Sequence, residues 1–431
     1  MNNSQKWLLG VIIFLILGFE VAAQENTDST STYKNNEGFG GPKTVGAQLE
    51  VDNAPRFENR IPIKKTKPWF DFKQKLSKNT GIEFGLNYTA IALYSTQTIS
   101  DANTDYAASG ILDIQAGWNF INRKKGKNIG KLFIKINDRH SYRGRNSTAP
   151  MFHGLAESGY YGLPATGFRD YTFRMLEFNY QQSLLDNHLH FVVGKVDPTN
   201  YFNFHGLLVP WQHFISYGAS VSGSVNWPNQ GLGGVVSYRP TEKLYIMASL
   251  VDIYGDRFNS GEFFHLGDEF QNGNFWKAVE IGYVPSFEER YFKKISLTYW
   301  HGDDYTNVQG ASIASGQGVA FSAHWFFKER FIPFARFGIS DGNGENAFYK
   351  ADVQIGHGYR FLNYDILGVS LSWNEPNIDG VKDQLTGELF YRVNVTAHLE
   401  FTPSAQFITN PTFNPDKSSL FYLGVRGRIT L

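Results

Sequence analysis

The segment GELFYRVNVTAHLEFTPSAQF, residues 387–407, decides the fold class. From Leu389 to Phe407 every odd position is apolar or proline, whereas most even positions are polar. A period of two belongs to β-strands, because successive side chains of a strand point to opposite faces. A single strand over residues 389–407 would span roughly 60 Å at about 3.3 Å per residue, which is longer than an ordinary strand. We therefore predict a hairpin, whose turn is most simply Thr396-Ala397-His398.

The same alternation recurs from Gly81 to Leu431 and predicts sixteen strands. They are 82–94, 111–120, 131–139, 171–182, 189–197, 232–239, 243–252, 276–284, 293–301, 318–327, 331–340, 348–359, 365–374, 387–395, 399–409 and 420–431. Short connections, such as 239–243, alternate with long ones, such as 198–231. This pattern predicts an all-β fold, a transmembrane antiparallel β-barrel of about sixteen strands with short periplasmic turns and long external loops.

The two faces of the predicted strands differ in polarity. One face is aliphatic and aromatic, as at Leu367, Val369 and Leu371, and the other carries charges, as at Lys131 and Lys135. Burying an unpaired ion costs several kcal/mol or more, so we interpret the polar face as a water-filled lumen and the apolar face as the lipid contact. A soluble sandwich or propeller is the alternative. The asymmetry between turns and loops favours the barrel.

The N-terminal part of the chain divides into three predicted segments. Residues 1–23 combine Lys6, an apolar stretch and a small-residue site at Ala22-Ala23, which is typical of a cleaved signal peptide; an uncleaved anchor helix is the alternative. Residues 24–66 are polar and lack periodicity, which indicates a flexible leader. Residues 67–431 form the predicted barrel domain, which opens with a short amphipathic helix at 68–79.

The composition narrows the class of protein. With 40 Lys and Arg against 40 Asp and Glu, the formal net charge is zero, so no nucleic acid or other polyanionic partner is expected. The absence of Cys excludes a disulfide framework and a lipid anchor on a cysteine. Aromatic residues make up 16% of the chain, beside 43 Gly, which is typical of a β-rich protein.

No catalytic motif emerges from the sequence. His188 and His190 share one strand face but lack a third ligand nearby in the sequence, so a metal site is not predicted. The GLGG stretch at 231–234 has no following Lys or helix, which argues against a phosphate-binding loop. We predict neither an enzyme nor a cofactor.

Four segments carry a family resemblance: TGIEFGLNYTA (80–90), RMLEFNYQQSLLDNHLHFVVGKVDPTNYF (174–202), PNQGLGGVVSYRPTEKLYIMASLVDIYGD (228–256) and ELFYRVNVTAHLEFTPSAQFITNP (388–411). Together they resemble the carbohydrate-selective porin (OprB) family, over about Trp69 to Leu431. The resemblance implies a porin in the outer membrane of a Gram-negative type bacterium that passes carbohydrates and similar small polar solutes by passive diffusion. It also implies a charged eyelet and long loops folded inward, with lipid and small carbohydrates as partners.

Two sets of site residues follow from this reading. The pore eyelet candidates are Glu177, Lys195, Arg336, Glu388 and Arg392. The sugar-contact candidates are Tyr201, Phe202, Phe204, Trp211 and Phe214. Alternatively, the charges are solvated wall and the rings pack a loop against the barrel. A structural or adhesive barrel with a plugged lumen and partner-binding loops is the alternative function, and no oligomeric state is predicted.

We expect the purified protein to show mainly β circular dichroism and to migrate faster on a gel unheated than boiled. In a closed barrel every backbone polar group is paired with a neighbouring strand, so the fold resists detergent until it is heated. A mainly helical spectrum would contradict this prediction.

Overall fold

Within the described residues, sixteen antiparallel strands close into one barrel. They are β1 (Ile82–Ser95), β2 (Tyr106–Ile121), β3 (Gly130–Ser141), β4 (Tyr171–Leu184), β5 (Leu189–Val196), β6 (Gly231–Tyr238), β7 (Leu244–Asp252), β8 (Phe275–Tyr283), β9 (Lys293–Gly302), β12 (Gly316–Trp325), β13 (Phe331–Ser340), β14 (Tyr349–Arg360), β15 (Ile366–Pro376), β16 (Gln384–Thr396), β17 (Leu399–Thr409) and β18 (Ser419–Thr430). A separate small hairpin, β10 (Tyr305–Thr306) and β11 (Ser312–Ile313), lies in the connection after β9. The predicted fold class is confirmed.

The computed structural model describes residues 39–53, 60–61, 66–144, 147–255, 273–307, 309–362 and 364–431. The predicted signal peptide, 1–23, lies outside these ranges, as does much of the predicted leader.

Each barrel strand pairs with its nearest neighbours around the barrel, and β1 pairs with β18 to close the sheet. The closing register runs from Asn87 opposite Thr430 to Ser95 opposite Tyr422. Because the first and last strands pair along their length, neither presents a free edge. Closure thus satisfies the backbone hydrogen bonds that an apolar surrounding would leave unpaired.

The alternation seen in the sequence corresponds to the two faces of the barrel. In β15, Leu367, Val369 and Leu371 are exposed on the outside, whereas Ser370 and Ser372 are buried inside. In β16 the same holds for exposed Leu389 and buried Glu388. The apolar face therefore surrounds the barrel and the polar face lines its interior.

The hairpin between β16 and β17 differs slightly from the predicted turn. Ala397 and His398 connect the strands, and Thr396 pairs with Leu399. A register shift between Asn394 and Thr396 absorbs the odd residue. A bulge of this kind adds one residue to one strand, which keeps apolar side chains on the same face across the turn.

The β4 strand contains a local exception to the predicted faces. The period of two in this strand would place Leu176 on the outer face with Phe178, but Leu176 is buried and lines the interior. The register with β3 shifts between Lys135 and Ile136, and this irregularity reverses the direction of the side chain.

Two helices precede the barrel strands. Helix α2 (Lys67–Thr80), predicted at 68–79, ends at Gly81 in the left-handed conformation, and the amide of Gly81 donates to the Ser77 carbonyl at 2.8 Å. Its Phe70 ring stacks on His398 at a centroid distance of 3.7 Å, and Lys73 donates to the Leu431 carbonyl. The helix therefore packs at the turn end of the barrel.

Helix α1 (Val45–Asn53) corrects the expectation of a flexible leader for these residues. Its residues Val45, Ala47 and Leu49 are buried, and they contact interior side chains such as Phe204 and Phe133. The polar residues Gln48 and Asp52 are buried as well, so the helix is enclosed around most of its circumference and its sequence shows no apolar stripe.

Among the described residues, no helix has both the length and the apolar character needed to cross a membrane.

We expect Leu371→Arg to destabilise the barrel by about 2–4 kcal/mol and Leu399→Arg by only about 0–1 kcal/mol. Both leucines face outward, but Leu371 lies in the middle of β15, whereas Leu399 begins β17 beside a tight turn. The cost of an outward arginine falls from the bilayer midplane to its surface. Chaotrope unfolding in lipid vesicles measures both values; equal, negligible costs would contradict the assignment of the outer face.

Candidate functional site

The connection between β5 and β6 runs through the interior of the barrel. Nearly all of its residues from 198 to 228 are buried, including Tyr201, Phe202 and Phe214. It contains a 3₁₀ turn at Pro198–Asn200 and the short helix α3 (Tyr217–Ser220). We call residues 197–230 the inward loop.

Charged side chains of the barrel wall bind the backbone of the inward loop. Both carboxylate oxygens of Glu388 accept backbone N–H groups, from Ile215 at 2.7 Å and Ser216 at 2.9 Å. Arg426 donates to the His213 carbonyl at 2.6 Å and also to the Pro210 carbonyl. These bonds pair buried backbone groups of a loop that has little regular secondary structure of its own.

Further wall residues hold the rest of the loop in the same way. Arg336 donates to the Gly218 carbonyl at 3.1 Å, and Asp352 accepts the Ser224 amide at 3.0 Å. Glu280 accepts the Asn203 amide at 2.7 Å and is paired with Lys294 at 3.2 Å. Acids and bases from around the barrel therefore fix the path of the loop across the interior.

A cavity of about 310 Å³ remains between the inward loop and the wall at β3 and β4. Its charged lining has more basic than acidic side chains. The basic residues are Lys43, Lys135, Arg139, Arg169 and Arg174, and the acidic residues are Glu177, Asp197 and Glu345. We call this space the central cavity. Its volume lies at the lower end of the range of about 300–1,000 Å³ that is usual for small-molecule sites.

Several of the basic groups are held against aromatic rings. The guanidinium carbons of Arg139 and Arg174 lie 5.2 and 4.5 Å from the centre of the Tyr171 ring. The Lys135 ammonium lies 4.8 Å from the Trp211 ring, whose indole N–H donates to Gln48 at 2.9 Å. Cations over rings are attracted by the ring quadrupole, which fixes the polar groups beside apolar surfaces.

The acidic groups of the cavity are also hydrogen-bonded. Glu177 accepts from the Asn200 amide group at 2.8 Å, and Asp197 accepts from Gln230 at 2.8 Å. Burial lowers the pKa of Lys43 to about 8, and the nearby carboxylate of Asp197 opposes this effect. Lys43 therefore carries a positive charge in a large fraction of molecules at neutral pH.

The predicted eyelet residues lie in three different surroundings. Glu177 lines the central cavity. Arg336 and Glu388 bind the backbone of the inward loop, and Arg392 lies 3.1 Å from the imidazole of His213. Lys195 is buried beside Gly194, whose φ of 132° marks the irregularity at which the alternation breaks. The structure thus places all five side chains away from the outer apolar face but brings only Glu177 to the cavity.

The predicted sugar-contact residues are all buried in the inward loop, and Trp211 is the member of this set that lines the central cavity. Phe202 packs edge-on against Trp276, and Phe214 packs edge-on against Phe390. Phe204 packs with Ala47, Leu208 and Tyr291. These contacts agree with the alternative that most of the rings pack the loop against the wall.

The sequence reasoning missed the basic side of the cavity. Lys135 was assigned to the polar strand face but not to a site, and Arg139 was in neither candidate set. Arg169 and Lys43 belong to a loop and to the predicted leader. The pattern RDYTFR at 169–174, with two arginines flanking an aromatic run after a long loop, was the available signal. Across the described residues, no group of three or more His, Asp or Glu side chains is arranged to hold a metal ion.

Comparisons with known proteins agree with this architecture. Residues 374–431 match the family described as "Carbohydrate-selective porin, OprB family", which confirms the predicted resemblance over this C-terminal segment. The high pH structure of Pseudomonas putida OprB superimposes with a TM-score of 0.68 at 16% identity, covering 88% of this chain and 100% of that one. This likeness supports the fold.

Two further solved structures align with lower TM-scores. The low pH structure of the same P. putida protein gives a TM-score of 0.49 at 15% identity over 85% of this chain and 98% of that one. A Rhodopseudomonas blastica porin triple mutant gives 0.49 at 11% identity over 81% and 100%. No curated protein sequence matches the chain.

We expect Glu388→Ala to loosen the inward loop. The change leaves the Ile215 and Ser216 amides without their acceptor, and an unpaired buried polar group costs about 1–3 kcal/mol. Hydrogen–deuterium exchange at 210–220 should become faster, whereas Asp379→Ala, whose side chain is 95% exposed, should leave it unchanged. Unaltered exchange in Glu388→Ala would contradict the anchoring role.

Proposed function

We propose, from the match of residues 374–431 to the carbohydrate-selective porin family, that the protein is an outer-membrane channel for passive diffusion of carbohydrates and similar small polar solutes. The observation that carries this proposal is the central cavity, which lies inside a closed barrel and is lined by charges and aromatic rings. Porin interiors are polar, whereas their outer faces are apolar.

The lining of the cavity suits a sugar. Sugars present hydroxyl groups that exchange hydrogen bonds with charged side chains, and apolar C–H faces that pack on aromatic rings. Trp211 and Tyr171 supply rings, and Lys135, Arg174 and Glu177 supply donors and an acceptor around them. These groups already have partners within the protein, so a solute that binds them replaces existing contacts. The net gain in binding free energy is therefore small, which favours entry followed by release.

The proposed solute-contact set therefore differs from the predicted eyelet. We assign Glu177 to solute contact, together with Lys135, Arg139 and Arg174 of the wall. Trp211 is the proposed ring contact. Arg336 and Glu388 act through the inward loop, whose position decides how much of the lumen remains open.

We extend the proposal to the cellular route of the protein. Residues 1–23 have the layout of a signal peptide, so the chain is proposed to be exported, cleaved after Ala23 and inserted into the outer membrane of a Gram-negative type bacterium. A purely transporting role, without catalysis, is proposed as well.

One observation favours the alternative of a plugged structural or adhesive barrel. The inward loop fills much of the interior and is tied to the wall on several sides. In that case the central cavity would be a dead end, and no solute would cross the barrel.

Planar-bilayer recording of the purified protein distinguishes the two functions. A channel gives discrete conductance steps, and sugar in the bath reduces the current because a bound sugar obstructs ions. A barrel that inserts without conductance, or whose current is insensitive to monosaccharides, would contradict the proposed function.

In the same recording, Trp211→Ala should weaken the reduction of current by sugar several-fold, because stacking surface in the cavity is lost. The matched control is Trp118→Ala, since Trp118 is 47% exposed on the outer face and cannot contact a solute in the lumen. Equal sugar sensitivity in wild type and Trp211→Ala would remove Trp211 from the contact set.

A further inference from the structure

The chain N-terminal to the barrel enters the lumen at the end where the tight turns lie. The Phe39 ring lies 5.3 Å from Tyr201 and 5.5 Å from His190, and the Gly40 carbonyl accepts from Arg290 at 3.0 Å. His190 and Arg290 lie near the turns between β4 and β5 and between β8 and β9. We call residues 39–53 the N-terminal wedge.

The wedge is fitted closely to the inward loop. The Gly41 amide donates to the Asn200 carbonyl at 2.6 Å. A Cβ added at Gly40 would lie 2.8 Å from the Tyr201 ring, and one added at Gly41 would lie 2.7 Å from the Phe204 ring. Gly40 also has a φ of 106°, which side-chain-bearing residues rarely adopt. The chain can pass this close to the inward loop because Gly40 and Gly41 have no side chains.

The other end of the wedge is tied to the barrel wall. Asp52 forms an ion pair with Arg428 at 2.9 Å and accepts from Asn87 at 2.7 Å, and all three side chains are buried. Between these ends, Gln48 accepts the indole N–H of Trp211. The burial of two charges is compensated only by close geometry and further hydrogen bonds. The buried pair of Asp52 and Arg428 therefore indicates a firmly held segment and not a weakly held leader.

The wedge borders a cavity on each side. Lys43 lines the central cavity and donates to Thr199 at 2.9 Å. Phe39 lines another cavity of about 240 Å³, whose wall includes Gly126, Asn187 and Arg239 from short turns of the barrel. The central cavity and the cavity at the turn end are therefore both bordered by the same short stretch of chain, 39–43.

We propose that the N-terminal wedge is the constriction between the central cavity and the periplasmic mouth, and that its Lys43 contacts the passing solute. This inference rests on the proposed channel function. The wedge narrows the exit by occupying the lumen, and through Gln48 it positions the Trp211 ring. Selectivity then depends on a segment outside the barrel strands, and displacing that segment widens the channel without altering the wall.

The test compares single-channel conductance of the full mature chain with that of Gly41→Val. The added side chain collides with the Phe204 ring and displaces the wedge, whereas Gly427→Ala is the matched control, since an added Cβ there meets nothing within 4 Å. We expect conductance to rise about twofold or more in Gly41→Val, with weaker block by sugar, and to stay unchanged in the control. Heat-dependent gel migration verifies that each barrel is folded.

Asp52→Ala provides a second displacement variant should Gly41→Val fail to fold, because it releases the opposite end of the wedge. Wild-type conductance and sugar block in both folded variants would overturn the proposal. If the wild type shows no conductance and the variants conduct, the result would support the wedge as an obstruction of the lumen and would contradict the proposed channel function. If neither the wild type nor the variants conduct, both the channel function and the wedge proposal would be overturned.

Lys43→Cys tests the solute contact separately. The chain has no Cys, so this variant carries a single thiol. A charged methanethiosulfonate reagent should react with it and reduce the conductance, because the added group projects into the solute path. No reaction in the folded protein, or complete reaction without any change in current, would overturn the assignment of Lys43.

Discussion

The backbone hydrogen-bond requirement of a chain surrounded by lipid governs this structure. A free N–H or C=O in hydrocarbon costs several kcal/mol, so a sheet that crosses a membrane must close on itself. The pairing of β1 with β18 provides that closure. Once the sheet is closed, each strand has one face toward lipid and one toward an enclosed interior, and the period-two pattern of the sequence follows.

Closure creates a second constraint, because charged side chains on the inner face need partners or water. The inward loop meets much of this need. Glu388 and Asp352 accept backbone amides, and Arg336 and Arg426 donate to backbone carbonyls. The same contacts satisfy the loop, which has little secondary structure to pair its own backbone. Wall charge and loop path are therefore interdependent, and the central cavity is the space that this arrangement leaves.

The strands could be predicted from the sequence because lipid on one side and polar contacts on the other impose a strict alternation. The interior could not be predicted to the same extent. A charged residue on the inner face gives the same sequence pattern whether it contacts water, a solute or a loop backbone. The sequence alone therefore does not distinguish Glu177 from Glu388. Helix α1 lacks an apolar stripe because it packs among polar and aromatic groups of the lumen. Leu176 faces the interior because the register between β3 and β4 shifts, and no residue type in the sequence indicates that shift.

Liposome swelling tests the central claim most directly, namely that solute passes through the interior of the barrel. Proteoliposomes placed in isotonic monosaccharide should swell well above the protein-free rate, and those in isotonic trisaccharide much more slowly, because a cavity of about 310 Å³ admits the smaller solute more readily. Swelling at the protein-free rate in monosaccharide, with folded barrel present in the membrane, would contradict the account.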